Sequence, residues 1–142
     1  MAQAAKGYEF FDHTADIGIR AEGRDLPELF IRMAQGLAEL IAEDSPLQAS
    51  QTRRIELSAD DVETLLRLWL QELLFWFSRD RFLPARYALA GVTETSLRGE
   101  LSGERFDPAR HIQGREVKAI TRHQLNVEQR DGRWHAEVIV DI

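Results

Sequence analysis

Seven large apolar residues, Leu65, Leu66, Trp69, Leu70, Leu73, Leu74 and Phe77, fall at helical spacing within one short stretch of the chain. No other stretch is as hydrophobic. A helix carrying so wide a stripe cannot face water, because each large side chain gains about 1.5–3 kcal/mol on burial. Something broad and apolar must cover it. The rest of the chain is mostly short alternating runs, which read as strands, so the cover is a sheet. Asp60 is the expected N-cap of this helix, with Glu63 at the reciprocal position of a capping box.

An earlier helix begins at Asp25, a good N-cap, with Glu28 three positions on and Pro27 in the first turn, where a missing N–H costs nothing. Its apolar positions are Leu26, Leu29, Phe30, Met33, Leu37, Leu40 and Ile41, and Ser45-Pro46 is the expected stop. Strands are expected at Tyr8 to Phe11, Ile17 to Ala21, Arg53 to Leu57, Ala88 to Val92, Ser96 to Ser102, Val117 to Val127 and Trp134 to Val140. Arg79 to Arg86, which contains Pro84, reads as a loop, and Asp107-Pro108 as a turn running to His111. Asp131-Gly132 is a two-residue hairpin signal. The run Val138-Ile139-Val140 suggests a central strand buried on both faces. Early helices and a run of late strands give an α+β class: a single domain, residues 1–142, with a mainly antiparallel sheet and two helices on one face. Residues 1–7 read as a frayed leader.

With 142 residues the chain suits one domain. No apolar run reaches the roughly 20 residues that cross a bilayer, and the N-terminus lacks a signal-peptide core, so the expected address is the cytoplasm. There is no cysteine, which excludes disulfides and thiolate metal sites. A net charge of -6 argues against broad nucleic-acid binding but not against a protein partner that handles nucleic acid.

Chemistry concentrates at Asp12-His13-Thr14-Ala15-Asp16, just ahead of an apolar run, and at the other end, where Asp141 and Ile142 close a second run. If the two runs lie side by side, Asp16, Asp141 and the Ile142 carboxylate converge. Oxygen ligands of this kind favour Ca²⁺ or Mg²⁺ over softer metals. The plainer reading has Asp12 capping a turn, His13 making an ordinary hydrogen bond and Asp16 ending a loop. His13, His111, His123 and His135 are scattered, without metal-ligand spacing. Glu104, His111, Glu116 and Lys118 lie close in sequence and could share a groove. No serine nucleophile motif, P-loop or dinucleotide fingerprint is present.

The opening Tyr8-Glu9-Phe10-Phe11-Asp12-His13-Thr14-Ala15-Asp16-Ile17-Gly18 resembles the N-terminal signature of the archeases. The helix around Leu70, Glu72, Leu73 and Leu74 also resembles that family. So do Gly103-Glu104, His111, Glu116-Val117-Lys118-Ala119-Ile120-Thr121 and the ending Asp141-Ile142. Arg122 departs from the pattern, since the family usually has tyrosine before the histidine matched by His123. The resemblance implies an accessory protein rather than an enzyme. It implies a helper of the RtcB-type tRNA-splicing ligase, promoting guanylylation and repeated turnover of that GTP-dependent RNA ligase. It also implies a metal site on Asp16, Asp141 and Ile142, commonly holding calcium. Asp12 is not carried over, because relatives accept glutamate there. Rival readings are a metal-dependent phosphoester hydrolase using His13 or Asp12 as base, and a general chaperone of RNA-processing proteins.

Overall fold

A computed structural model describes residues 6–13, 16–43 and 46–142. Met1 to Ala5 of the expected leader, Thr14 and Ala15 of the opening motif, and Ser45 of the expected helix stop lie outside them. The element order is β1 (Tyr8–His13), β2 (Asp16–Gly23), α1 (Leu26–Ile41), β3 (Gln51–Ser58), α2 (Val62–Asp80), β4 (Phe82–Val92), β5 (Ser96–Arg105), β6 (Ala119–Ile120), β7 (Asn126–Arg130) and β8 (Arg133–Asp141).

The class is α+β with antiparallel pairing throughout, and the strands divide into two sheets. One has the order β1-β2-β8-β6, with β7 also on β8, and the other the order β3-β5-β4. Both helices contact strands of both sheets and so fill the layer between them. Each sheet therefore presents one face to the helices. That is why the α2 stripe is so wide. Leu65, Leu66, Trp69 and Leu70 are fully buried, and Trp76, which the single-stripe reading omits, is buried as well. Trp76 packs edge-on against Phe82 of the second sheet, with ring centroids 5.7 Å apart. Arg53 lies over both rings and donates to Asp80 at 2.9 Å. Trp69 Nε1 donates to the Phe30 carbonyl at 2.9 Å, tying α2 to α1 with a buried bond.

Four local expectations need correction. The N-cap of α2 is Asp61, which accepts from Thr64 N–H at 2.7 Å; Asp60 precedes the cap. Glu63 turns away to the Val127 N–H. Arg79 to Arg86 is no loop: α2 continues to Asp80, Arg81 caps it in the left-handed region at φ 60, and β4 starts at Phe82. Pro84 is accommodated because β4 is an edge strand whose register shifts between Pro84 and Arg86. Val117 to Val127 is no continuous strand but two short ones, β6 and β7, separated by a turn in which Gln124 has φ 54. Finally, α1 ends at Ile41 rather than near Ser45. Its last carbonyls are capped from afar, Gly114 N–H donating to Ile41 and Arg115 N–H to Leu40.

Other features follow the sequence. Asp25 caps α1 by accepting from Glu28 N–H at 2.9 Å, while the Glu28 carboxylate reaches the Arg24 N–H rather than that of the cap residue. The Asp131-Gly132 turn has positive φ at both residues, 54 and 73, as a type I′ hairpin requires. β8 is central and buried on both faces, with Val138, Ile139 and Val140 all at 0% exposure.

Candidate functional site

Pairing in the first sheet sets the geometry of the acidic end. In the β2–β8 ladder Asp16 stands directly opposite Asp141, Ile17 opposite Val140 and Gly18 opposite Ile139. The β1 ladder adds His13 opposite Asp16, and β6 adds Ala119 opposite Asp141. Ile17 and Val140 pack in the core. By strand alternation Asp16 and Asp141 therefore share the face turned away from the helices. Directly opposed residues have Cβ atoms about 4.5–5.5 Å apart, and like charges there repel. Both aspartates are half-buried, which weakens the screening of that repulsion.

The end of β8 is held firmly. Lys118 N–H donates to the Asp141 carbonyl at 2.7 Å, and the Ile142 side chain packs against the core. Among the described residues no three His, Asp or Glu side chains converge as a metal cage. Side chains thus supply two carboxylates, from Asp16 and Asp141. Ca²⁺ takes six to eight oxygens, so the pair fits a hard cation that also draws on main-chain or terminal oxygens and solvent.

Beside the acidic row lies a built cluster that sequence reading missed. The Phe11 ring covers Gly18 so closely that a Cβ there would fall inside it. The Arg20 guanidinium sits 4.3 Å from the ring centroid and donates to Glu9 Oε1 at 2.8 Å and Glu137 Oε2 at 2.9 Å. Hydrogen bonds donated to Glu9 and Glu137 raise the Arg20 pKa, with burial working against them. One arginine thus clamps β1, β2 and β8 together, four residues along β2 from Asp16 and four along β8 from Asp141. The available signal was Gly18 itself, since an isolated glycine inside a strand marks a close approach.

Of the group Glu104, His111, Glu116 and Lys118, only the first two meet. Both are buried. The Asp107 N–H donates to His111 Nδ1 at 2.8 Å, so the ring proton is assigned to Nε2, which lies 3.2 Å from Glu104 Oε2. Glu104 also accepts from Gln48 N–H at 2.6 Å and from Arg110. Burial pushes the Glu104 carboxyl up, but Arg110, the Gln48 amide and His111 together hold it below the usual range. A carboxylate with three hydrogen bonds across its two oxygens is a brace, here holding Gln48, Arg110 and His111 against β5. His135 lies 3.5 Å from Glu22, far along the sheet from Asp16.

The family model described as "Archease protein family (MTH1598/TM1083)" matches residues 8–142. Protein archease of Sulfolobus acidocaldarius is 36% identical over 136 residues, covering 95% of this chain and 98% of its own. The solution structure of Methanobacterium thermoautotrophicum protein 1598 superposes with a TM-score of 0.82 at 36% identity, over 96% of this chain and 99% of that one. An archease of Thermotoga maritima, described as a possible chaperone, shares the fold with a TM-score of 0.62 at 17% identity, over 93% of this chain and 94% of that one. With the family model spanning nearly the whole chain and these relatives aligned end to end, the protein belongs to the archease family.

Proposed function

We propose that this protein is an accessory factor of an RtcB-type GTP-dependent tRNA-splicing RNA ligase in the cytoplasm, promoting ligase guanylylation and multiple turnover through the acidic end of its first sheet. Family membership supports the accessory role. The observation that carries the site is the Asp16–Asp141 register, two carboxylates set face to face at the sheet's end. Like charges directly opposite each other across a strand pair are destabilising, and a cation held between them would offset that cost. Asp16, Asp141 and the Ile142 carboxylate are the proposed ligands for Ca²⁺, with Mg²⁺ as the other hard cation this donor set suits. A bound divalent cation supplies positive charge that the carboxylates and a partner's anionic groups can share.

The chain's own residues do the rest. The Arg20 clamp ties β1, β2 and β8 to one another, and the Lys118 amide fixes the Asp141 main chain. An acidic end meeting a basic nucleotide-binding cleft would speed encounter. Activation then amounts to tighter binding of the guanylylation-competent ligase state than of the resting one. Asp16→Ala and Asp141→Ala should fold and yet lose stimulation of ligase guanylylation. Full stimulation by both variants would remove the acidic end from the mechanism. Stimulation of unrelated RNA-processing proteins with no ligase present would instead favour a general chaperone, the role ascribed to the Thermotoga maritima relative.

A further inference from the structure

The two helices end side by side, and residues 113–117 cross over their ends. Between them is a cavity of about 430 Å³ with Ser78, Arg81, Gln113, Arg115 and Glu116 on its walls and Phe77 in its floor. Arg81 and Arg115 face the same space from opposite sides of the sequence. The Arg81 guanidinium is steadied over the Phe77 ring, 5.1 Å from its centroid. Neither arginine makes an ion pair with any described residue, although Asp and Glu outnumber Lys and Arg by 24 to 18 in this chain. Most other arginines, including Arg20, Arg53, Arg79 and Arg110, are paired.

An ordinary role for both is to answer the negative ends of the helices. That role is already filled in part by main-chain donors. Arg81 N–H takes the Phe77 carbonyl, Gly114 N–H that of Ile41, and Arg115 N–H that of Leu40. Those three carbonyls are satisfied from the main chain, and both guanidinium groups border the open space. Two forked cations beside a hydroxyl and an amide, above an apolar floor, match the donor pattern that binds a phosphate group.

We propose that this groove is a phosphate subsite, with Arg81 and Arg115 as its paired cations and Ser78 and Gln113 as neutral donors. The ligand chemistry is a phosphate monoester or diester, whether carried by a free nucleotide or by an RNA strand. The subsite is independent of the Asp16–Asp141 reading and does not need a bound cation. Glu116 is the acidic group on the wall and works against the ligand, which gives the proposal a sign that can be tested.

The experiment is an amide NMR titration of the full chain at constant ionic strength. Inorganic phosphate is the first probe, followed by guanosine monophosphate and a short single-stranded RNA. Saturable shifts at Ser78, Arg81 and residues 113–117 are expected. The double variant Arg81→Gln/Arg115→Gln should weaken binding at least about tenfold, and Arg115→Lys should restore part of it. Glu116→Gln should tighten binding severalfold, and Arg98→Gln on the second sheet should change nothing. A purely helix-capping role would lower the melting temperature of the double variant and leave the affinity and the Glu116→Gln effect absent. Tighter binding of RNA than of the mononucleotide, mapping to the same amides, identifies a nucleic-acid source; the reverse order identifies a free nucleotide. Shifts that avoid the groove with every probe, or an affinity unchanged in the double variant, would overturn the proposal.

Discussion

Replacing Glu104 with leucine should cost about 1–3 kcal/mol of folding free energy, and the number can be built from its partners. The Glu104 side chain is 7% exposed and that of His111 0%. Removing the carboxylate strands one buried donor, His111 Nε2–H, and takes the acceptor from the Gln48 N–H, which sits on an exposed residue and can turn to water. A stranded donor costs about 1–3 kcal/mol. The Arg110 side chain is 43% exposed and can turn to water, so its loss counts for little. Burial of the new leucine offsets part of the total. For a chain of this length the melting temperature should fall by about 3 °C per kcal/mol. Urea denaturation of both proteins is the assay, read as a shift of midpoint at constant slope. The pH dependence adds a sign. The folded carboxyl lies below its ordinary value of 4.5. Its stabilisation is therefore complete above that pH and is lost as pH falls through the folded value. The gap between wild type and Glu104→Gln should close in acid. A midpoint shift equivalent to less than about 0.5 kcal/mol, or a gap that does not change with pH, would refute the idea that this pair braces the fold.

Other outcomes follow from single contacts. A Cβ at Gly114 would run into the Leu40 carbonyl oxygen, so Gly114→Ala should push the crossing segment off the end of α1 and cost about 1–3 kcal/mol, measured by urea midpoint. Gly18→Ala should expel the Phe11 ring from its seat and loosen β1, seen as faster amide exchange from Tyr8 to Phe11. Asp61→Ala should lower the melting temperature more than Asp60→Ala, because Asp61 holds the Thr64 N–H. The Tyr87 hydroxyl is buried with no hydrogen-bond partner among the described residues, and burial pushes its pKa up. Tyr87→Phe should therefore match the wild-type urea midpoint or exceed it by up to about 1 kcal/mol.

Much of the fold could be read locally. The Asp131-Gly132 turn was legible because a type I′ hairpin needs two positive φ angles, and few residue pairs supply them. The Val138-Ile139-Val140 run announced a strand buried on both faces. Reading failed where neighbours in space decide. Asp60 and Asp61 are adjacent carboxylates, and only the helix phase, fixed by packing, chooses the cap. Pro84 signals a break, but at an edge strand its missing N–H has no ladder bond to lose. Trp76 looked like the wrong side of α2 because a second sheet was not foreseen. At the acidic end, the meeting of Asp16 and Asp141 was legible because one opens an apolar strand and the other closes one. The Arg20 clamp was not, since Glu9 and Glu137 come together only through pairings 11 and 117 residues apart in sequence.

A cation seated between Asp16 and Asp141 would relieve their repulsion. The decisive measurement is the melting temperature of wild type, Asp16→Asn and Asp141→Asn, with and without Ca²⁺ at matched ionic strength. In chelator each variant should melt above wild type, because one of two opposed charges is gone. As Ca²⁺ is added, wild type alone should rise, following the logarithm of free metal above its dissociation constant, and should overtake both variants. A wild-type melting temperature indifferent to Ca²⁺ and Mg²⁺, or variants that respond as strongly as wild type, would contradict the claim.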